Sequence, residues 1–276
     1  MESATAQTSE QVTATMNYLA ESHRKPVSYM YQPPAGVPLR SWYISRHRTA
    51  IRNARLIVDD LSLDRQGFVL THQHSKVTNF YDDAEVLAVY YPEVERIVKQ
   101  ATGAARVLVF DHNVRRGPGT EAVRGVREPV KYAHNDYTLK SGPQRVRDLL
   151  PAEAGELLKH RFAVINVWRP IRGPVEQMPL AVCDAGSIAE KDLVPTDLIY
   201  PYRVGEVHSL AFNPNHRWFY FPRMQTDEVL LLKCYDSAAD GRARFTAHGA
   251  FEDPNTPPGA PARESIEVRT IAFFAE

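Results

Sequence analysis

The second half of the chain limits the fold most. From residue 161 onward, short apolar segments recur at fairly regular spacing between Pro/Gly-rich turns, at 162–168, 180–183, 204–212, 218–221, 229–235, 244–251 and 266–274. Each has the length of a strand, and no helical pattern lies between them. Consecutive strands without crossover helices favour an antiparallel barrel or jelly roll over a βαβ sheet.

Upstream the texture differs. A weak helix is predicted over 10–21, with Val12, Met16 and Leu19 on one face, after a polar, frayed start at 1–10. Pro26, Pro33, Pro34 and Pro38 make 25–39 an extended surface wrap. Residues 50–82 alternate loosely and read as two or three strands. A helix is predicted over 83–101, capped by Asp82-Asp83, interrupted at Pro92 and stopped at Gly103. A buried strand at 106–111 and an Arg/Gly/Pro loop at 115–127 follow, and 141–160 reads as a helix that Pro151 splits. The expected architecture is one domain over 1–276, mainly β with a helical N-terminal half. A helical and extended cover (1–105) would lie over a double-stranded β-helix, a cupin-like jelly roll with flanking helices, at 106–276.

Charge excludes some functions. Across 276 residues, 33 basic side chains balance 33 acidic ones, so neither nucleic acid nor an anionic membrane is the expected partner. The one local basic cluster, Arg115, Arg116, Arg124 and Arg127, reads as a solvated loop. Cys183 and Cys234 lie in apolar runs outside any CxxC motif, as buried thiols of a reducing, cytoplasmic setting do. No apolar run approaches the ~20 residues of a membrane span, and the N-terminus lacks the pattern of a signal peptide. Neutral charge and many aromatics suit a small, partly apolar metabolite as substrate.

Chemistry concentrates at His134-Asn135-Asp136. In a strand, residues i and i+2 share a face, so this imidazole and carboxylate can grip one metal ion from one side. A second, later His would complete the two-His, one-carboxylate set that holds non-haem Fe(II) and leaves positions open for co-substrate and O₂. His160 ends a helical stretch and His216 sits in a turn, Asn213-Pro-Asn-His216. His208 and His248 both lie on predicted strands. His248 is preferred because Gly249 leaves space beside it, and because Arg263 and Ser265 share one face of the next strand. A guanidinium fork and a hydroxyl suit a carboxylate held near the metal. His208 remains the alternative.

The ordered set His134-x-Asp136, His248, Arg263-x-Ser265 resembles the HxD…H…RxS series of Fe(II)/2-oxoglutarate-dependent oxygenases. Asn166-Val-Trp-Arg-Pro-Ile, Pro179-Leu-Ala-Val-Cys-Asp184 and Arg263-Glu-Ser-Ile-Glu-Val-Arg269 resemble the branch with fungal gibberellin desaturase and the cephamycin-methoxylation oxidoreductases. The likeness runs from about Tyr18 to Phe274. His248 and Arg263 are 15 positions apart (263 − 248), within the family's range. The gap of 112 positions (248 − 136) between Asp136 and His248 is longer than in many members.

The resemblance implies Fe(II) on His134, Asp136 and His248, with the distal carboxylate of 2-oxoglutarate on Arg263 and Ser265. Asn166, Trp168 or Arg169 would line the cofactor or substrate pocket. Tyr132, Tyr137, Phe245 and Phe251 read mainly as barrel core, and Thr78, Phe80 and Tyr81 as structural in preference to a lid. The reaction it implies begins with C–H abstraction from a small secondary metabolite or amino-acid-derived substrate, ending in hydroxylation, desaturation or ring closure. Two alternatives stand beside it: a cupin-like metal enzyme that does not use 2-oxoglutarate, and a non-catalytic jelly-roll partner of another biosynthetic enzyme.

Overall fold

The structure, a computed structural model, describes residues 9–118 and 126–275. Most of the frayed start, together with Arg124 of the basic cluster, lies outside the described residues. The strands are β1 (Gln11–Leu19), β2 (Val27–Tyr29), β3 (Ile44–Asn53), β4 (Phe68–His72), β5 (Arg106–Arg116), β6 (His134–Asn135) and β7 (Phe162–Pro170). They continue as β8 (Leu180–Cys183), β9 (Leu193–Ile199), β10 (Val204–Leu210), β11 (Trp218–Tyr220), β12 (Glu228–Asp236), β13 (His248–Ala250) and β14 (Glu264–Phe273).

They form two sheets, ordered β4-β12-β7-β14-β5 and β1-β3-β11-β8-β13-β6-β10-β9-β2. From β5 the chain passes back and forth between them: β5, β7, β12 and β14 join the five-stranded sheet, while β6, β8, β11 and β13 join the nine-stranded one. This alternation faces the sheets towards each other. All nine residues of β7 are buried, because both faces of that strand are covered. Phe162, Val164 and Trp168 meet Val182 and Phe219 between the sheets. Ala163, Ile165 and Val167 pack instead under Val94, Ile97 and Val98 of the helix Tyr91–Thr102.

The helical N-terminal half expected from sequence is not what forms. Residues 11–19 are a strand paired antiparallel with β3 over nine positions. Spacings of four, such as Val12 to Met16, fit a helix and a strand equally well. Burial of Val12, Ala14, Met16 and Tyr18 shows that the period is two, and β-branched Thr13 and Thr15 favour it. The helix beyond Asp82 does form: Asp82 accepts from the Ala84 N–H at 2.9 Å, and Gly103 ends it in the left-handed conformation. Pro92 does not break it: the chain is helical on both sides, and a π-helical turn at Val86–Tyr90 directly before Pro92 takes up the interruption. The segment 141–160 splits as expected into Ser141–Leu149 and Ala154–Leu157. Strand β9 was not read from sequence, since Pro195 interrupts its apolar pattern.

Strand β1 curls back to the region of β6 through bridges at Asn17–Tyr132 and Leu19–Ala211. The space it closes holds Met16, Tyr18, Cys183, Trp218 and Ala247. Inside, Trp218 Nε1 donates to the Tyr18 hydroxyl at 2.6 Å, and the Tyr18 hydroxyl lies 3.4 Å from His216 Nδ1. Asp192 holds the other nitrogen of His216 at 3.1 Å. The turn His216 belongs to is therefore pinned into a core. Both cysteines are free and buried. Among the described residues no helix is long and apolar enough to cross a membrane.

Tyr18→Phe would leave the buried Trp218 N–H without its acceptor. It should cost about 1–3 kcal/mol, read as a lower midpoint in chemical denaturation. An unchanged midpoint would contradict the pairing.

Candidate metal centre

His134 on β6 and His248 on β13 are direct cross-strand partners, and their ring centroids lie 4.6 Å apart. Each ring is held in the same way. His134 Nδ1 donates to the Tyr132 carbonyl at 2.9 Å, and His248 Nδ1 donates to the Thr246 carbonyl at 3.0 Å. A carbonyl only accepts, so the proton is on Nδ1 and each Nε2 presents a bare lone pair. Asp136, two residues beyond His134, brings Oδ1 to 3.5 Å from His134 Nε2. One donor atom from each of His134, Asp136 and His248 falls within 4.8 Å of the others.

The second oxygen of Asp136 is already engaged. Asn166 Nδ2 donates to Oδ2 at 2.8 Å and Arg269 Nε donates to it at 3.0 Å. Arg269 also holds Asp111 at 2.7 Å and Glu267 at 3.2 Å. Burial opposes ionisation of Asp136, but Arg269, His248 and His134 outweigh it and hold the carboxyl well below the usual range. Burial, reinforced by His248, pushes His134 down to about 4. At neutral pH the cluster therefore consists of a carboxylate and a neutral His134, the forms that bind a metal.

Arg263 and Ser265 lie on the same face of the chain entering and forming β14 as Glu267 and Arg269, at alternate positions. Arg263 is 3% exposed and Ser265 1%. Arg263 Nη1 donates to the Met178 carbonyl at 2.7 Å, and its guanidinium carbon sits 5.5 Å above the Trp168 ring. Arg263 Nε, Ser265 Oγ and Asn166 Oδ1 are all buried without a hydrogen-bond partner. No carboxylate pairs with Arg263 among the described residues. Burial and nearby Arg115 push it down to about 9. The Arg263 Nε–H and the Ser265 hydroxyl are open donors of the kind a carboxylate accepts from, whereas Asn166 Oδ1 is an open acceptor.

The other candidates go elsewhere. Arg169, expected in the cofactor pocket, projects from the opposite face of β7 to Asn166, because adjacent strand residues alternate. Its Nη2 donates to the carbonyls of Gln73 and Thr226, and its guanidinium covers the rings of Tyr90 and Phe80. His208 pairs with Asn135 whereas Ser209 pairs with His134, which turns His208 away from the cluster. Tyr81 donates to Glu264, Phe80 packs on Tyr90, and Thr78 donates to Glu85, so the possible lid is tied down. Arg269 was missed as a site residue. Its even spacing from Arg263 was the available signal.

A family model described as "Oxidoreductase/YMDC permease-like domain" matches residues 16–273. "Hydroxylase/desaturase efuI" of Hormonema carpetanum is 33% identical over 288 residues, covering 96% of each chain. "Fe(II)/2-oxoglutarate-dependent dioxygenase nvfI" of Aspergillus novofumigatus is 32% identical over 252 residues, covering 89% of this chain and 90% of its own. This chain belongs to that oxidoreductase family of hydroxylases/desaturases. A solved structure of the iron and alpha-ketoglutarate-dependent endoperoxidase NvfI superposes on it with a TM-score of 0.88 at 28% identity, over 97% of this chain and 99% of the other.

Gly249 matters to the oxidoreductase for a reason other than open space beside His248. A Cβ there would lie 2.9 Å from the Tyr132 carbonyl oxygen, the acceptor that orients His134. Gly249→Ala should therefore weaken metal binding and cost about 1–3 kcal/mol of stability. Equilibrium metal titration and denaturation check both, and a variant unchanged in both would contradict the contact.

Burial also pushes His208 down to about 4. An unfolded chain protonates His134 and His208 near the ordinary value of about 6.5. The unfolded state thus takes up protons first, so this stability is present above about 6.5 and is lost as pH falls towards about 4. Each group contributes up to about 1.4 kcal/mol per pH unit in that window. The metal-free protein should show a lower denaturation midpoint at pH 5 than at pH 7, and a flat profile would contradict the burial of both neutral rings.

Proposed function

We propose that His134, Asp136 and His248 hold Fe(II) and that Arg263 with Ser265 holds the distal carboxylate of 2-oxoglutarate. The scaffold is a double-stranded β-helix core at 106–276, and the substrate is a small secondary metabolite. The enzyme is an Fe(II)/2-oxoglutarate-dependent dioxygenase. One observation carries the residue assignment. The buried Arg263 Nε and Ser265 Oγ lack partners on the same β14 stripe that carries Arg269, which clamps Asp136.

The donor set fits the metal and the orphaned guanidinium fits a dicarboxylate. Iron, 2-oxoglutarate and O₂ together supply oxidative C–H abstraction, with the co-substrate decarboxylated to succinate. Everything else is the work of side chains. The bare Nε2 atoms of His134 and His248 and Asp136 Oδ1 would hold the iron. Asn166 and Arg269 keep Oδ2 turned away. The Trp168 ring covers the Arg263 guanidinium and excludes water from it, which strengthens its grip on a carboxylate. On the approach to His134, Tyr132 lies 5.3 Å from its ring and 5.2 Å from Trp42, with Arg40 over both aromatic faces. This wall suits a partly apolar metabolite. How it would orient a bound substrate decides between hydroxylation, desaturation and ring closure.

Succinate release and O₂ uptake with Fe(II) and candidate substrates provide the test. Chelation of the metal should abolish both, and Fe(II) should restore them. His134→Ala and Asp136→Ala should be inactive, and turnover by either would remove the metal assignment. Arg263→Gln should raise KM for 2-oxoglutarate about 30-fold or more, the equivalent of about 2 kcal/mol for one partner of a buried charged hydrogen bond. An unchanged KM would instead remove the anchor assignment and leave the metal site standing.

A further inference from the structure

The β9–β10 hairpin lies outside β6 in its sheet, and its two faces serve different spaces. Ser209 pairs with His134, while His208 pairs with Asn135 and with Pro195. Paired residues share a face and neighbours alternate. His208 and Pro195 therefore face away from the metal side. A cavity of about 620 Å³ opens on that far side, with apolar walls from Ile188, Leu193, Pro195 and Phe245. None of His134, Asp136, His248, Arg263 or Ser265 lines it. Its volume lies inside the roughly 300–1,000 Å³ range of small-molecule sites.

Two further observations point to an occupant. His208 lines the cavity at 6% exposure, and its polar contact within the chain is with the Tyr137 backbone, not with a side chain. Phe245 meets its ring edge-on at 4.9 Å, which fixes the ring. The charges around the cavity are also unbalanced. Arg242 is taken by Asp240 and Asp64, and Glu206 by Lys25 and Thr138. Arg65, Lys140 and Arg244 line the cavity with no carboxylate within ion-pairing distance among the described residues, and Glu190 is the only lining acid in the same position.

We propose that this cavity is a second ligand site, separate from the metal centre, for a small organic anion with an apolar body, such as an aliphatic carboxylic acid. The apolar walls take the body, the surplus cations take the carboxylate, and the His208 ring forms part of the wall. His208 is neutral at pH 7, because burial pushes it down to about 4. It therefore adds no charge to the wall.

Isothermal titration of the full chain with decanoate, under anaerobic conditions, tests the site. Saturable one-to-one binding is expected, unchanged when Fe(II) and 2-oxoglutarate are present. It should weaken about tenfold or more in Arg244→Gln, the loss of one charge-assisted contact, and also in Ala243→Trp, which fills the cavity. Independently of any variant, decanoate should shift the imidazole nitrogen resonances of His208 in the wild-type protein. No saturable binding, no shift at His208, or binding displaced by 2-oxoglutarate would each overturn the proposal.

Discussion

The clamp on Asp136 is the interaction on which the rest of the site depends. A buried carboxylate without partners would cost several kcal/mol. Asn166 and Arg269 remove that cost at one oxygen, and they leave the other 3.5 Å from His134 Nε2. The clamp also explains why the five-stranded sheet must lie against the nine-stranded one. Asp136 follows β6 in one sheet, whereas Asn166 on β7 and Arg269 on β14 belong to the other. The register of β7 with β14 places Asn166 directly opposite Arg269, so both donors reach the same oxygen.

The same β14 stripe carries a contrast in charge. At one end Arg269 is saturated by Asp136, Asp111 and Glu267. At the other, Arg263 keeps a buried nitrogen unpartnered next to an unpartnered serine hydroxyl. Two arginines six residues apart thus have opposite roles. One completes the folded protein's own ion pairing, and the other has no carboxylate partner among the described residues. A protein that only needed stability would not leave the second arginine open.

Much of this was legible because strand geometry is simple. Spacing of two placed His134 with Asp136 and Arg263 with Ser265, and the structure brings the members of each pair to one face. The same rule, applied strictly, would have rejected Arg169 once Asn166 was placed in the site, since three positions along a strand end on opposite faces. It would also have drawn Arg269 in. The N-terminal strand was misread because spacings of four between Val12 and Met16 satisfy both periods, and the partner that decides between them, β3, is remote in sequence. The acceptors of the two Nδ1 protons are backbone carbonyls, which no sequence pattern records. The second cavity was likewise invisible, because it depends on which face of a hairpin His208 occupies.

The most direct measurement is the anaerobic Fe(II) affinity of Arg269→Gln, by competition with a chelator, in protein whose circular dichroism matches the wild type. If Arg269 fixes Asp136 so that Oδ1 completes the metal site, affinity should fall about 10- to 100-fold, as it does when a partner of a metal ligand is removed. Wild-type affinity in that variant would contradict the account.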